Sequence, residues 1–474
     1  MAFIFYNTLG REKQAFKPIC EGKAGFYGCG PTVYNYAHIG NLRAYVHHDV
    51  LVRALRRAGY DVKHVMNITD VGHLSDDADN GDDKMVKTAE ERGKSVLEIA
   101  DFYTKAFFND TDRMNINRPA IICKATEHIA EMIDLIKKIE ENGFTYFAGG
   151  NLYFDISKFP SYGDLALLRM DELKAGARIE EDENKRNAGD FALWFTKSKF
   201  ANQALVWDSP WGKGYPGWHI ECSAMSMKYL GEQFDIHAGG IDHIPIHHTN
   251  EIAQSEAATG KKPWVRYWLH NEFLVMDKGK MSKSAGGFLT LQSLIDEGFD
   301  PLDYRYFLLG GHYRSQLQFS IESLKGAANS RKSLMSKIKG LTAKAETQGE
   351  GGNIASYIED FNKAIEDDLN TPRALAVLWG LLKDGPASKE ALSAIFDMDK
   401  VLGLKLEDVK NHTDSDFFKS VGEDFTREID DLIAKRAEAK KAKDFTAADN
   451  IRQNLKDRGI ILEDGPSGTI WRKI

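Results

Sequence analysis

The chain has 474 residues, 42% hydrophobic and 28% charged, with a net charge of −8. That length exceeds one compact core and predicts two to four domains. The negative balance excludes a globally basic nucleic-acid coat but leaves room for a local basic patch. Four cysteines are too few for a disulfide framework and fit a reducing compartment, where they serve as ligands, nucleophiles or core filler. The N-terminus lacks a basic leader followed by a long apolar stretch, and no apolar run reaches membrane-spanning length, so the cytoplasm is the expected location.

In chain order, residues 24–29 read as a buried strand, 42–58 as an amphipathic helix and 61–68 as a second strand, with Gly59 where the helix should stop. This is a βαβ unit, hence a doubly wound parallel sheet of α/β class. Residues 75–83 form an acidic loop, read as solvated surface with a cation site as the alternative. Residues 85–116 and 124–142 carry helical periodicity, the second with Ile129, Ile133, Ile136 and Ile139 on one face. Phe144 to Ile156 alternates around Gly149-Gly150 as a β-hairpin should, and the turn-rich 157–215 looks like an insertion between two halves of the sheet. The second half would hold a strand at 234–237, a helix from about 248 to 259 and a strand at 268–275. Helical pattern begins near 290, a linker falls at 343–353, helices resume to about 404, and a last module occupies about 421–474.

Chemistry concentrates in a few places. Cys29, Cys222, His247 and Glu251 are all metal-competent, and the last two are four apart on a predicted helix, so they share a face. Their spacing is not that of a zinc finger. Cys222 also reads as a small buried apolar residue, and His247 as a surface one. His38-Ile-Gly-Asn41 lies where a loop enters a helix, a position suited to phosphate oxygens, with Gly40 permitting close approach. Lys280-Met-Ser-Lys-Ser284 places two lysines in a small Gly-flanked loop that can close over a triphosphate.

These two signatures, in this order and with two half-sheets between them, resemble the class I aminoacyl-tRNA synthetases: 38–41 is similar to HIGH, and 280–284 matches KMSKS. More narrowly the chain resembles the cysteinyl-tRNA synthetases, through Cys-Gly-Pro-Thr-Val-Tyr at 29–34, Asn-Ile-Thr-Asp at 67–70 and Ala-Gly-Ala-Arg at 175–178. The likeness continues in Gly-Trp-His-Ile-Glu-Cys-Ser at 217–223, Phe-Asp-Ile-His at 234–237 and His-His-Thr-Asn-Glu at 247–251. Gly-His-Tyr-Arg-Ser at 311–315 and Asp-Asp-Leu-Asn-Thr-Pro at 367–372 complete it. The resemblance implies one Zn²⁺ per chain on Cys29, Cys222, His247 and Glu251, and bound L-cysteine against Gly30, Thr32, Thr69 and Trp218. It implies ATP with Mg²⁺ against His38, Gly40, Gly239, Asp242 and Lys283, with His38, Asn41, Lys280 and Lys283 as the catalytic set.

The implied architecture is a Rossmann-like catalytic domain over 1–275, interrupted at about 120–215, then mainly α-helical tRNA-binding domains. Those comprise the KMSKS and stem-contact region at 276–342, an anticodon-binding helical bundle at 343–420 and an anticodon-recognition module at 421–474. The implied activity is ligation of cysteine to tRNA-Cys by a monomer. Two alternatives are a ligase joining cysteine to an amino sugar, as in mycothiol synthesis, and a non-catalytic RNA-binding relative. Three departures from the family pattern stand out: Asn41 in place of the second His of HIGH, Val-Gly-His-Leu after Asn-Ile-Thr-Asp, and Pro-Ile-His-His-Thr at 245–249. Asn can donate a hydrogen bond but cannot be cationic, so altered phosphate contacts are expected. In the last module, five cations at 435–443 oppose one acid, Glu438. This is a patch suited to RNA phosphate, with Lys440, Asp449 and Asp464 as the expected anticodon contacts.

Overall fold

The structure is a computed structural model that describes residues 2–71, 88–89, 92–168, 183–197, 205–276, 289–345, 354–410, 429–442, 444–457, 460–465 and 468–473. A short hairpin, β1 (Ile4–Asn7) and β2 (Glu12–Ala15), opens the chain. The apolar run that follows is β3 (Lys23–Gly28), joined by helix α1 (Ile39–Arg57) to β4 (Asp61–Ile68). Helix α2 (Val96–Arg113) then leads to β5 (Ile121–Lys124). Two starts differ from expectation. Helix α1 begins three residues earlier than 42, because His38 caps it through a reciprocal bond with Asn41. The periodic stretch 85–116 is broken at Gly93, which has φ +61°, and α2 begins after the capping box of Ser95 and Glu98.

Helix α3 (Ile129–Glu141) buries Ile129, Met132, Ile136 and Ile139 and is followed by the expected hairpin, β6 (Thr145–Ala148) and β7 (Asn151–Phe154). Strands β8 (Phe191–Phe195) and β9 (Tyr215–Pro216) add to that hairpin, so the insertion carries a four-stranded antiparallel sheet of order β6-β7-β8-β9. Helix α4 (Trp218–Leu230) returns the chain to the main sheet as β10 (Phe234–Gly240), α5 (Thr249–Thr259) and β11 (Val265–Asn271). The expected strand at 268–275 is split: β11 ends at Asn271, and a separate β12 (Leu274–Met276) follows.

The main sheet is parallel throughout, with order β11-β10-β3-β4-β5. Strand β5 was not expected; it has only four residues and lies at the sheet edge, so it leaves a weak pattern. One large core fills the space between sheet and helices. It joins Met132 and Ile136 of α3, Ile220 and Met225 of α4, Ala253 of α5 and Trp268 of β11.

Beyond β12 come α6 (Leu291–Asp296), α7 (Pro301–Leu309) and β13 (Leu317–Phe319), which pairs with β12 in parallel. The long α8 (Ile321–Ala345) precedes three helices, α9 (Ala355–Glu366), α10 (Thr371–Asp384) and α11 (Lys389–Leu402). Arg305 of α7 ties this region to α1. It is fully buried, pairs with Asp49 at 2.6 Å and donates to the carbonyl of Leu402 at 2.7 Å. Residues 1–406 form one compact unit and 407–474 a second. The second holds helical residues 429–441, α12 (Phe445–Asp457) and a hairpin of β14 (Ile460–Gly465) and β15 (Gly468–Lys473). Its own small core is Ile429, Leu455, Ile460 and Leu462.

Candidate active site and metal centre

In the main sheet β3 is followed in sequence by β4 on one side, whereas its other neighbour is β10. This reversal makes a crevice at the carboxyl ends of β3 and β10, where open α/β sheets bind ligands. A cavity of about 470 Å³ opens there. Its inner end is lined by Cys29, Gly30, Thr32, Thr69, Trp218, Cys222 and His247, and its outer end by His38, Gly40, Asn41, Gly239 and Asp242. All twelve residues were expected at a site from the sequence. Two glycines are required by close approach. A Cβ on Gly30 would lie 1.7 Å from the Asn67 carbonyl oxygen, and one on Gly239 would lie 2.6 Å from His243 Nδ1.

At the inner end, Cys29, Cys222, His247 and Glu251 bring one donor atom each to within 4.8 Å of the others, all buried. The residue before the helix is informative. His247 lies not in regular α-helix, as its spacing from Glu251 suggested, but in a π turn, Ile244–His248, that leads into α5. Such wider turns re-aim side chains at functional sites. His247 Nε2 still meets Glu251 Oε1 at 2.9 Å. Its Nδ1 faces His219 Nδ1 at 3.0 Å, so one of the two carries the proton between them. The Trp218 ring stacks on His247 at 4.1 Å and 18°.

A second set, Cys29, His237, His248 and Glu251, is equally compact. The two sets share Cys29 and Glu251, so they compete for one ion. His237 and His248 do not line the cavity, whereas Cys222 and His247 do. Three donors of the first set line the cavity, against Cys29 alone of the second, so a metal on the first set is better placed to meet a ligand there. His237 and His248 are therefore better placed as braces. His237 Nε2 holds Glu251 Oε2 at 3.0 Å, and His248 Nε2 lies 3.3 Å from Cys29 Sγ. His248 is itself fixed by His270 at 2.7 Å, and His270 by the Thr8 hydroxyl at 2.7 Å.

The electrostatics of the first set suit a cation. A hydrogen bond from Cys29 pulls the Cys222 thiol down to about 6, against burial. Burial drives the Cys29 thiol well above its ordinary range. Burial would lower His247, yet Glu251 and Cys222 raise it to about 10. Burial would raise Glu251, yet His237 and His247 hold it at about 2. Two anions thus share a dry site with a proton on His247, where a dication can take the proton's place.

The outer end is built differently. His38 is the N-cap of α1: its Nδ1 accepts from the Asn41 backbone N–H at 3.2 Å, while Asn41 Oδ1 accepts the His38 N–H at 3.2 Å. A neutral His38 must then carry its proton on Nε2, as a donor. A Cβ on Gly40 would lie 3.0 Å from the imidazole, so glycine lets the ring fold over the first turn. Burial lowers the His38 pKa, partly opposed by Asp242. Asn41 therefore has a structural task, completion of the cap, that its side-chain oxygen performs.

Asn67, His237, His248, His270 and Arg43 were not singled out from the sequence. Asn67 accepts the Gly30 N–H at 2.7 Å and donates to the Thr69 hydroxyl at 3.1 Å. Thr69 in turn donates to Glu221 at 3.3 Å. Asn67, His237 and His248 lie inside the quoted signatures, which is the signal that could have flagged them. Lys280, Lys283, the Ala-Gly-Ala-Arg stretch and the acidic loop 75–83 lie outside the described residues. Lys440 and Asp449 are exposed in the second unit, and Asp464 pairs with Thr469 in its hairpin.

Comparisons with known proteins agree on one family. The chain matches the model of the tRNA synthetases class I (C) catalytic domain over residues 15–329. It also matches the DALR domain over 360–384 and the cysteinyl-tRNA ligase anticodon binding domain over 422–472. It is 61% identical over 495 aligned residues to the cysteine–tRNA ligase of Treponema denticola, with 100% of both chains covered. It is 46% identical to that of Treponema pallidum, again with 100% of both covered. Cysteine–tRNA ligase 1 of Burkholderia lata is 46% identical, with 99% of this chain and 96% of that one covered. Among solved structures, Mycobacterium tuberculosis methionyl-tRNA synthetase in complex with methionyl-adenylate has a TM-score of 0.58 at 17% identity. It covers 82% of this chain and 91% of its own, a likeness of fold alone.

Proposed function

The chain belongs to the cysteine–tRNA ligase family of class I aminoacyl-tRNA synthetases, and on that premise we propose that it activates L-cysteine with ATP and transfers the cysteinyl group to tRNA-Cys, selecting its substrate through a zinc-bound thiolate. One observation carries the zinc assignment: two thiols, an imidazole and a carboxylate converge at the buried end of a cavity whose other end begins at the capped start of α1. These four side chains would hold the ion. Bound there, zinc supplies a soft Lewis-acid position that takes a thiolate far better than it takes the hydroxyl of serine. A site built on that difference rejects serine and alanine without a second, editing site.

The rest is work for this chain's own groups. Trp218, stacked on His247, walls the pocket to the size of a small side chain. Thr69, held between Asn67 and Glu221, faces the amino acid. The substrate carboxylate oxygen attacks the α-phosphorus of ATP, the bond to the β-phosphate oxygen breaks, and pyrophosphate leaves. His38 donates from Nε2 to phosphate oxygen, and Gly239 and Asp242 cradle the adenosine. Lys280 and Lys283 stabilise the charge that builds on the phosphates, and Mg²⁺ accompanies ATP. In the second step a 3′-terminal ribose hydroxyl attacks the cysteinyl carbonyl carbon and AMP leaves. The helices beyond residue 343 and the second unit bind the anticodon arm. Lys440, Asp449 and Asp464 are the proposed contacts in the second unit.

Cysteine-dependent ATP–pyrophosphate exchange tests the first step, with serine as the control amino acid. Charging of a tRNA bearing a GCA anticodon tests the second. No exchange with cysteine refutes the assignment, and exchange followed by transfer only to an amino sugar refutes its tRNA half. Metal analysis should find about one zinc per chain.

A further inference from the structure

Arg43 lies two residues past Asn41 in α1 and is 3% exposed. Its fork reads main-chain oxygens from two separate segments. Nη1 donates to the carbonyls of Glu272 at 2.8 Å and Phe273 at 2.6 Å. Nη2 donates to those of His312 at 3.1 Å, Tyr313 at 3.5 Å and Ser315 at 2.5 Å. Among the described residues, none of its hydrogen bonds goes to a carboxylate. A buried guanidinium is costly relative to an apolar side chain of similar volume, and here burial lowers the Arg43 pKa although Tyr304 and Glu272 lie close enough to oppose it. Packing by itself would therefore favour a Met or Leu here.

The two segments matter for the cavity. Glu272, Phe273 and Leu274 line it together with His38 and Asn41, and Leu274 lies beside Gly40, 3.8 Å from where its Cβ would stand. The Glu272 N–H also donates to the Tyr313 carbonyl at 2.8 Å, and β12 pairs with β13, so the segments are hydrogen-bonded into one piece. Arg43 clasps that piece to α1. The same piece reaches further. The Tyr313 hydroxyl and Arg314 Nε each hold Asp368 at 2.6 Å, and Asp368 is fully buried just ahead of α10.

We propose that Arg43 is the positioning residue for the nucleotide: by binding both segments it fixes the wall Glu272–Leu274 at one distance from His38 and Asn41. The proposal rests on the assignment of that cavity to ATP. A lysine cannot replace it, because three donors on one point cannot span carbonyls of two segments. Misplacement of a reacting group by about 1 Å costs on the order of 100-fold in rate.

The test compares the unaltered protein with Arg43→Lys and Arg43→Ala. Arg43→Lys should weaken binding of a non-hydrolysable ATP analogue about tenfold or more and lower kcat/KM for ATP in exchange by about 100-fold. Metal content and the KM for cysteine should stay near those of the unaltered protein. Arg43→Ala should recover activity in millimolar guanidinium and not in potassium chloride of equal ionic strength. Unchanged ATP-analogue binding in Arg43→Lys overturns the proposal. So does a loss that falls equally on cysteine, metal and ATP with no guanidinium rescue, because that is a general structural role. If Arg43→Ala does not fold, Arg43→Lys decides. Absence of exchange in the unaltered protein refutes the catalytic assignment instead, and the ATP-analogue measurement still judges Arg43.

Discussion

The two ends of the cavity are made by different means. The inner end is side chain braced by side chain: His237 on Glu251, His248 on Cys29, His219 on His247, with His270 and Thr8 behind. The outer end is backbone and cap: a helix start held by His38 and Asn41, and a wall held through carbonyls by Arg43. On the proposed function, the difference teaches what each end has to do. Discrimination between sulfur and oxygen demands donors fixed before the substrate arrives, so each is over-determined. A nucleotide that must enter, react and leave is better held by a few main-chain groups whose spacing is set from outside.

The largest effect should follow from breaking the inner end. Cys222→Ser should lose metal and cysteine-dependent exchange together, by on the order of 1000-fold, beyond the range for an outer-sphere partner. Metal content and exchange rates check this, and a variant that keeps zinc with unaltered preference for cysteine over serine would remove the basis of the comparison. Acid is the next lever. Because His247 is raised to about 10 and the Cys29 thiol lies well above its ordinary range, both hold protons at neutral pH without metal. Metal binding must displace them, so apparent affinity should climb by about tenfold per pH unit for each proton released. Titration with a competing chelator from pH 6 to 8 measures the slope, and a flat profile contradicts it.

A smaller loss is expected one step out. His237→Ala should weaken metal binding by about 10–100-fold while leaving ATP-analogue binding intact. It also separates the two donor sets, since complete loss of metal would favour the set that contains His237. The smallest effect belongs to the helix cap at the outer end. Asn41→Ala removes half of a capping box, worth about 1 kcal/mol, and should lower kcat about fivefold with metal content unchanged. Asn41→Asp keeps the acceptor for the His38 N–H and should retain the helix start, which the thermal midpoint can check.

Much of this was readable in the chain. Strands β3 and β4 and helix α1 announce themselves by apolar period, and Gly59 by its place at the helix end. The insertion hairpin is set by Gly149 and Gly150. Cys29, Cys222, His247 and Glu251 could be suspected as ligands from their chemistry, and the last two paired by their spacing, but only family likeness joined the four into one set. The remainder was hidden for physical reasons. A four-residue edge strand such as Ile121–Lys124 has too few residues to show a period. The π turn at 244–248 looks like the helix it introduces. Arg43 acts on carbonyls, which every residue possesses, so nothing in its neighbourhood marks its partners. His248 and Cys29 meet across 219 residues of sequence, a distance no local pattern can bridge.

That separation has a consequence for how the molecule is made. Strand β3 is completed early in synthesis, yet its neighbour β10 and three of the four candidate metal donors follow the insertion. Until they emerge, the nascent β3–β4–β5 half has an unpaired sheet edge at β3, with Cys29 at its tip. The proposed metal centre would therefore be a late product of folding, assembled when the second half of the sheet closes on the first. Zinc capture would then report that the whole catalytic unit has been joined, rather than nucleate it.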